Sequence, residues 1–252
     1  MRKKVAIFLL IIIVGILLYP GFVSAYNFGY KIDKTNNEVI ITGIKTLKQR
    51  EKYELTIPKR IFMRRVTAID FRDGFEQWGN APRRFTRLEM PDSVTRIGQR
   101  SFWLKPNLEE IQFSKSLTII EEKAFSACYD IKKIELPASL ELLGEEAFSN
   151  CWGIKTVVIL GNKTKIERAA FDNCYNMVSM ILADGISEIG DYAIVGCDSL
   201  SHLRIPASVT DMTWFETSYA YQGVPDTLVI VTPKGSVAEQ YALEHGIEVR
   251  NE

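Results

Sequence analysis

The sequence predicts an α/β solenoid. Short parallel strands stack unit upon unit with short helical turns between them, under a β cap at the N-terminal end and a helix–strand cap at the C-terminal end. Two observations predict it. Cys128, Cys151, Cys174 and Cys197 recur at an interval of 23 residues, and several columns of apolar residues keep the same interval. Each interval also holds one short alternating apolar–polar run and one compact apolar face. A single unit cannot bury both faces, so the units must stack.

The apolar columns extend well beyond the cysteines. Phe125, Phe148 and Phe171 keep step, and Ile194 takes the next place. Ala124, Ala147, Ala170 and Ala193 precede them. Leu88, Ile111, Ile134, Val157, Met180 and Leu203 form one further column, and Ile97, Ile120, Leu143, Ile166, Ile189 and Met212 form another. Five regular units follow: 85–107, 108–130, 131–153, 154–176 and 177–199, then a degenerate one from Leu200. A less regular unit precedes them, with Leu55-Thr56-Ile57-Pro58 and Val66-Thr67-Ala68-Ile69. The period lies inside the leucine-rich-repeat range of about 20–29 residues.

Each unit has three parts. In Ile134-Glu135-Leu136, alternation at period two predicts a strand with Ile134 and Leu136 inward and Lys133 and Glu135 outward. Pro137-Ala138-Ser139-Leu140 then turns a corner into a second extended stretch, because proline presets the bend and cannot donate to a ladder. From Gly144 to Cys151 a short helical or 3₁₀ turn is expected, with Ala147, Phe148 and Cys151 on its inner face.

These segments, Ile134 to Leu140, Leu143-Gly144, Ala147-Phe148 and Cys151, resemble the BspA-like leucine-rich repeats. The resemblance covers roughly Tyr26 to the C-terminus. It implies a curved solenoid of the kind found on secreted and surface proteins, often linked to adhesion and to partner binding. It fixes no ligand, because repeat proteins vary their exposed positions freely.

The ends differ from the repeats. Arg2, Lys3 and Lys4 precede an apolar run from Val5 to Leu18, a Pro20-Gly21 break and Val23-Ser24-Ala25, the order of a secretory signal. The run is short of the ~20 residues a membrane span needs. Cleavage after Ala25 is expected, with an uncleaved signal-anchor as the alternative. Stretches 26–32 and 38–44, joined through Asn36-Asn37, read as a capping hairpin, so 26–84 is taken as N-terminal cap plus irregular repeat. The repeats are taken as 85–223. In 224–252, a strand at Leu228–Val231, a capping-box start at Ser236-Val237-Ala238-Glu239, a stop at Gly246 and a final strand at Ile247-Glu248-Val249 read as the C-terminal cap.

Composition narrows the function. The chain carries 31 basic and 31 acidic residues, and loss of the leader leaves a slight acidic excess, which argues against a nucleic-acid binder. The equally spaced cysteines are expected to be reduced and buried, because equivalent side chains in a stack point the same way, which is poor geometry for a disulfide. No close-spaced cysteine pair marks a metal site, and no cofactor motif occurs. His202 and His245 are the only histidines, and no motif joins either to a nucleophile and an orienting group. No catalytic residue is therefore expected.

Binding is the better expectation. The outward strand positions form a ladder: Arg87 and Glu89, Glu110 and Gln112, Lys133 and Glu135, Thr156 and Val158, Ser179 and Ile181, His202 and Arg204. The last four pairs, from Lys133 to Arg204, are the candidate site on the concave sheet, with Val158 and Ile181 as an apolar centre rimmed by charge. A protein or glycan partner is expected, with membrane contact only through an uncleaved leader. A self-associating envelope component held by that leader is the alternative. Two irregularities stand out. Leu160-Gly161-Asn162-Lys163 replaces the proline corner and contains a glycosylation sequon, Asn162-Lys163-Thr164, meaningful only in a eukaryotic source. In the last unit Trp214, Phe215, Tyr219 and Tyr221 replace the Ala-Phe-Cys face, either as an end plug or as a recognition patch, and the same two readings apply to Trp78, Trp103 and Trp152.

Overall fold

The computed structural model describes residues 28–44, 53–71, 85–220 and 223–252. The leader, Trp78 and Tyr221 lie outside the described residues. The chain winds as a parallel solenoid with two strand ladders and one column of turns.

The first ladder contains the alternating runs. It has β3 (Tyr53–Thr56), β6 (Phe85–Glu89) and β8 (Glu110–Gln112), then β10 (Lys133–Leu136), β12 (Thr156–Ile159), β14 (Ser179–Leu182) and β15 (His202–Arg204). β16 (Val229–Thr232) and β17 (Glu248–Asn251) extend it into the C-terminal cap. All pairs are parallel, and the 23-residue interval is the register: Lys133 pairs Thr156, Thr156 pairs Ser179, and Ser179 pairs His202. The ladder is two sheets, β3-β6-β8 and β10 to β17, because pairing lapses between β8 and β10. Burial in β10 alternates as predicted, with Ile134 and Leu136 fully buried.

The second ladder begins with a hairpin, β1 (Phe28–Asp33) and β2 (Glu38–Ile44), turned through Asn37 in the left-handed region at φ 59°. β2 pairs in parallel with β5 (Arg64–Ile69), which β4 (Arg60–Ile61) flanks. Two-residue strands then follow: β7 (Arg96–Ile97), β9 (Ile119–Ile120), β11 (Leu142–Leu143) and β13 (Lys165–Ile166). The hairpin thus adds to this ladder and buries Val39 and Ile41 on the core.

In the regular units the third part is a single turn of 3₁₀ type. Ala147, Ser149 and Cys151 donate to Gly144, Glu146 and Phe148 three residues back, while Glu146, Phe148 and Asn150 donate to Arg168, Ala170 and Asp172 of the next unit. Alternate N–H groups therefore serve the turn and the stack. The geometry requires left-handed backbone twice per unit, at Glu146 (φ 52°) and Asn150 (φ 59°), and equally at Lys123 and Ala127, at Ala169 and Asn173, and at Tyr192 and Gly196. Such a residue costs about 1–2 kcal/mol when it bears a Cβ. The inter-unit bonds offset that cost, and asparagine and glycine reduce it.

The core is a set of columns. Phe102, Phe125, Phe148 and Phe171 stack nearly parallel, with centroids 5.0, 5.2 and 5.5 Å apart. The four cysteines are free and fully buried. Each thiol donates to the phenylalanine carbonyl of the preceding unit, as Cys151 does to Phe125 at 3.2 Å and Cys174 to Phe148 at 3.4 Å. Leu160 takes the place of Pro137 in its unit, and the next position admits only glycine. A Cβ at Gly161 would stand 2.2 Å from Thr164 Oγ1 and 2.5 Å from the Leu140 carbonyl. The Thr164 hydroxyl donates to that carbonyl at 2.6 Å and seals the corner.

The stack ends in α1 (Thr213–Tyr219), which buries Trp214, Phe215 and Tyr219. These aromatics plug the end of the core. Thr217 and Ser218 hydroxyls accept from the N–H groups of Tyr192 and Ile194, replacing the carbonyls that a further turn would supply. In the cap, α2 (Val237–Glu244) packs against β16 and β17. Ser236 Oγ accepts from Glu239 N at 3.1 Å as the capping box requires, but the Glu239 carboxylate accepts from Gly235 N, one residue before the cap. Gly246, at φ 69°, ends the helix.

Candidate binding face

The outward side of the first ladder is where the expected binding residues fall. Parallel register places Lys133, Thr156, Ser179 and His202 in one row and Glu135, Val158, Ile181 and Arg204 in the next. Strand spacing of about 4.8 Å sets the distance between neighbours along each row. Their environments differ. Lys133 and Glu135 are exposed and pair with each other at 2.8 Å. Thr156, Val158 and Ser179 are half-buried, while Ile181 is exposed. The rows continue past the expected site, through Val229 and Val231 to Glu248 and Arg250.

Arg204 is committed elsewhere. Its guanidinium meets Asp184 at 2.8 Å, the Leu182 carbonyl at 2.6 Å and the terminal Glu252 carboxylate. Those bonds, Glu252 above all, hold its charged form more strongly than usual. It clamps the C-terminus across the edge of the face. His202 is exposed, and its Nδ1 lies 2.9 Å from Ser201 Oγ. A serine–histidine contact alone is not a catalytic pair, because no carboxylate orients the ring from its other nitrogen among the described residues. Three of the four buried cysteines are poor nucleophiles as well. Burial pushes the Cys128 thiol up to about 12 and raises Cys151 and Cys174 well above the ordinary thiol range, so each stays protonated. Among the described residues no group of three or more potential ligands is placed to hold a metal ion.

The structure adds residues that the strand pattern alone does not include. Ten large apolar side chains are exposed among the described residues, and five of them flank or lie in β12 and β14: Trp152, Leu160, Tyr175, Val178 and Ile181, each 40–44% exposed. With Val158 they make an apolar band spread over three neighbouring units, 131–153, 154–176 and 177–199. Trp152 stacks on Tyr129 at 4.5 Å and lies 6.3 Å from Tyr175. The sequence signal was present, because Tyr129, Trp152 and Tyr175 share the 23-residue interval. Outward strand positions alone make up the candidate ladder, and this corner column lies outside them. Charge flanks the band at Lys133 and Glu135 on β10 and at Arg204 on β15.

A stack of 23-residue units with two short parallel ladders and a turn column defines a leucine-rich-repeat solenoid. The sequence matches the model of the BspA type leucine rich repeat region in six copies over residues 95–223, about half of the chain, and the protein belongs to that family. Solved structures agree on the fold. A leucine-rich repeat protein from Treponema pallidum is 22% identical at a TM-score of 0.63, over 90% of this chain and 96% of that one. One from Bacteroides ovatus is 22% identical at a TM-score of 0.60, over 83% of this chain and 55% of that one, so the chain spans about half the Bacteroides protein. A leucine rich cell surface protein from Faecalibacterium prausnitzii is 17% identical at a TM-score of 0.50, over 84% of this chain and 70% of that one. No match was found among curated proteins. No helix of the described residues is long and apolar enough to cross a membrane.

Proposed function

We propose that this protein is exported to the cell surface or beyond and binds a protein partner through the first ladder, centred on β12 and β14. The observation that carries the reading is the concentration there of five of the ten exposed large apolar side chains. Contiguous exposed apolar surface rimmed by charge is the usual mark of a protein contact. Val158 and Ile181 supply the centre, Trp152 and Tyr175 the aromatic anchors that such contacts favour, and Lys133, Glu135, Thr156, Ser179 and His202 the polar border. Arg204 holds the border in place. A protein fits better than a glycan, because Tyr129 already covers one face of the Trp152 ring. Surface location rests on the leader-like Arg2–Ala25 and on the cell surface protein among the structural relatives.

Site-directed photo-crosslinking tests this in the native host. A benzophenone side chain replaces Thr156 in one strain and the exposed Glu141, beside the other ladder, in a second. A covalent adduct from position 156 and none from 141 is expected. Adducts from neither, or from 141 alone, would overturn the site. An adduct of twice the chain mass of 28.7 kDa would make the partner a second copy, the self-associating alternative.

A further inference from the structure

The second ladder stops one rung early, and the vacancy has the features of a peptide site. Ile189 bridges Ile166 in parallel, with Ile166 N donating to the Glu188 carbonyl at 3.0 Å and Gly190 N to the Ile166 carbonyl at 2.8 Å. In a parallel bridge of this pattern both bonds involve the Ile166 peptide groups, so the N–H and C=O of Ile189 point the other way. The 23-residue interval puts Met212 opposite them. Met212 is instead the N-cap of α1, and Thr213 N donates to its neighbour Asp211 Oδ1 at 2.9 Å rather than to the ladder. Among the described residues no backbone bond reaches Ile189 from that side.

A cleft of about 490 Å³ runs from there, between the edge Ser187–Gly190 and the start of α1, back over Lys165–Arg168 and Glu145 of the preceding units. Trp214 lines it and is almost fully buried, yet its Nε1–H has no hydrogen-bond partner. An unpaired strand edge is a template for another chain, and adding a strand to such an edge is a general mode of peptide capture. Charge selects the occupant. Arg168 is engaged by Glu145 at 3.1 Å and Lys165 by Glu167 at 3.9 Å, which leaves the exposed carboxylates of Glu188 and Asp211 without an ion pair among the described residues.

We propose that this open rung is a second binding site, which takes an extended peptide segment bearing lysine or arginine as an added strand. It bonds the Ile189 N–H and C=O through its backbone and meets Glu188 and Asp211 through its basic side chains. The site lies on the opposite ladder from the apolar band and does not depend on it.

The test uses the full chain and the probe fluorescein-Thr-Lys-Val-Lys-Val-Thr-amide, read by fluorescence anisotropy and by hydrogen exchange. Saturable binding is expected, with slowed exchange of the Ile189 amide. A probe N-methylated at the central valine and lysine, which cannot donate, should bind at least tenfold more weakly, as should the unmodified probe to E188K/D211N. Glu188 is exposed and D211N retains the acceptor for Thr213 N, so that variant should keep its far-ultraviolet spectrum, and E188K alone serves as a second variant with a smaller loss. Absence of saturable binding, equal binding of the methylated probe, or slowed exchange confined to β12 and β14 would each overturn the proposal.

Discussion

Replacing Phe148 with alanine tests the stacked core directly. The ring is fully buried and stacks at 5.2 Å on Phe125 and at 5.5 Å on Phe171, with the edge of Phe113 at 6.5 Å. Truncation of a buried phenylalanine costs about 3–5 kcal/mol through lost transfer energy plus the cavity. Two stacked partners lose a face at once, and each aromatic pair is worth about 0.5–1.5 kcal/mol beyond its area. Neighbouring rings are held by their own turns, as Phe148 itself is by its N–H bond to Ala170 at 2.8 Å, so collapse into the cavity is restricted. The cost should therefore lie at the upper end, at about 4–5 kcal/mol. In a solenoid that cost falls on the two interfaces of one unit. Urea unfolding followed by tryptophan fluorescence should show a lower midpoint. Trp103 and Trp214, on opposite sides of the lesion, should report separate transitions in single-tryptophan variants. A loss below about 1 kcal/mol would refute the column assignment, since it would match an exposed residue rather than a core one.

The remaining predictions concern chemistry and local geometry. Thiol reagents at pH 8 should label none of the four cysteines in the native protein and all four in denaturant; rapid native labelling would contradict their burial. The same burial predicts a pH dependence. The Cys128 thiol ionises near 9 when unfolded but is pushed up to about 12 when folded, so the unfolded chain releases its proton first and stability falls as pH rises from 9 toward 12. Cys128→Ala should flatten part of that fall, as measured by urea midpoints across the range. Gly144→Ala should destabilise by about 1–3 kcal/mol, because the added Cβ would stand 2.7–2.9 Å from the backbone of Ile120, Glu121 and Glu122. Ser236→Ala should cost about 1 kcal/mol by removing the N-cap of α2, visible as faster hydrogen exchange at Glu239.

Much of this architecture is a direct consequence of the sequence. A 23-residue interval shared by Phe148, Cys151, Ile134 and Leu143 determines a stack, because side chains repeated at one interval become neighbours only when the chain returns on itself each time. The alternation in Lys133–Leu136 assigns the inward and outward sides, since successive strand residues face opposite ways. What the interval cannot convey is how much each exposed residue shares with its surroundings. Arg204 has the same place in its unit as Ile181, but the distant Glu252 folds back to claim it. Left-handed backbone at Glu146 and Ala169 is set by inter-unit bonds that override local preference. The open edge at Ile189 depends on α1 leaving the ladder at Met212, a choice made by the aromatic plug that closes the core. Repetition in the sequence determines the register, while pairing across the stack and at its ends decides which groups remain free to bind.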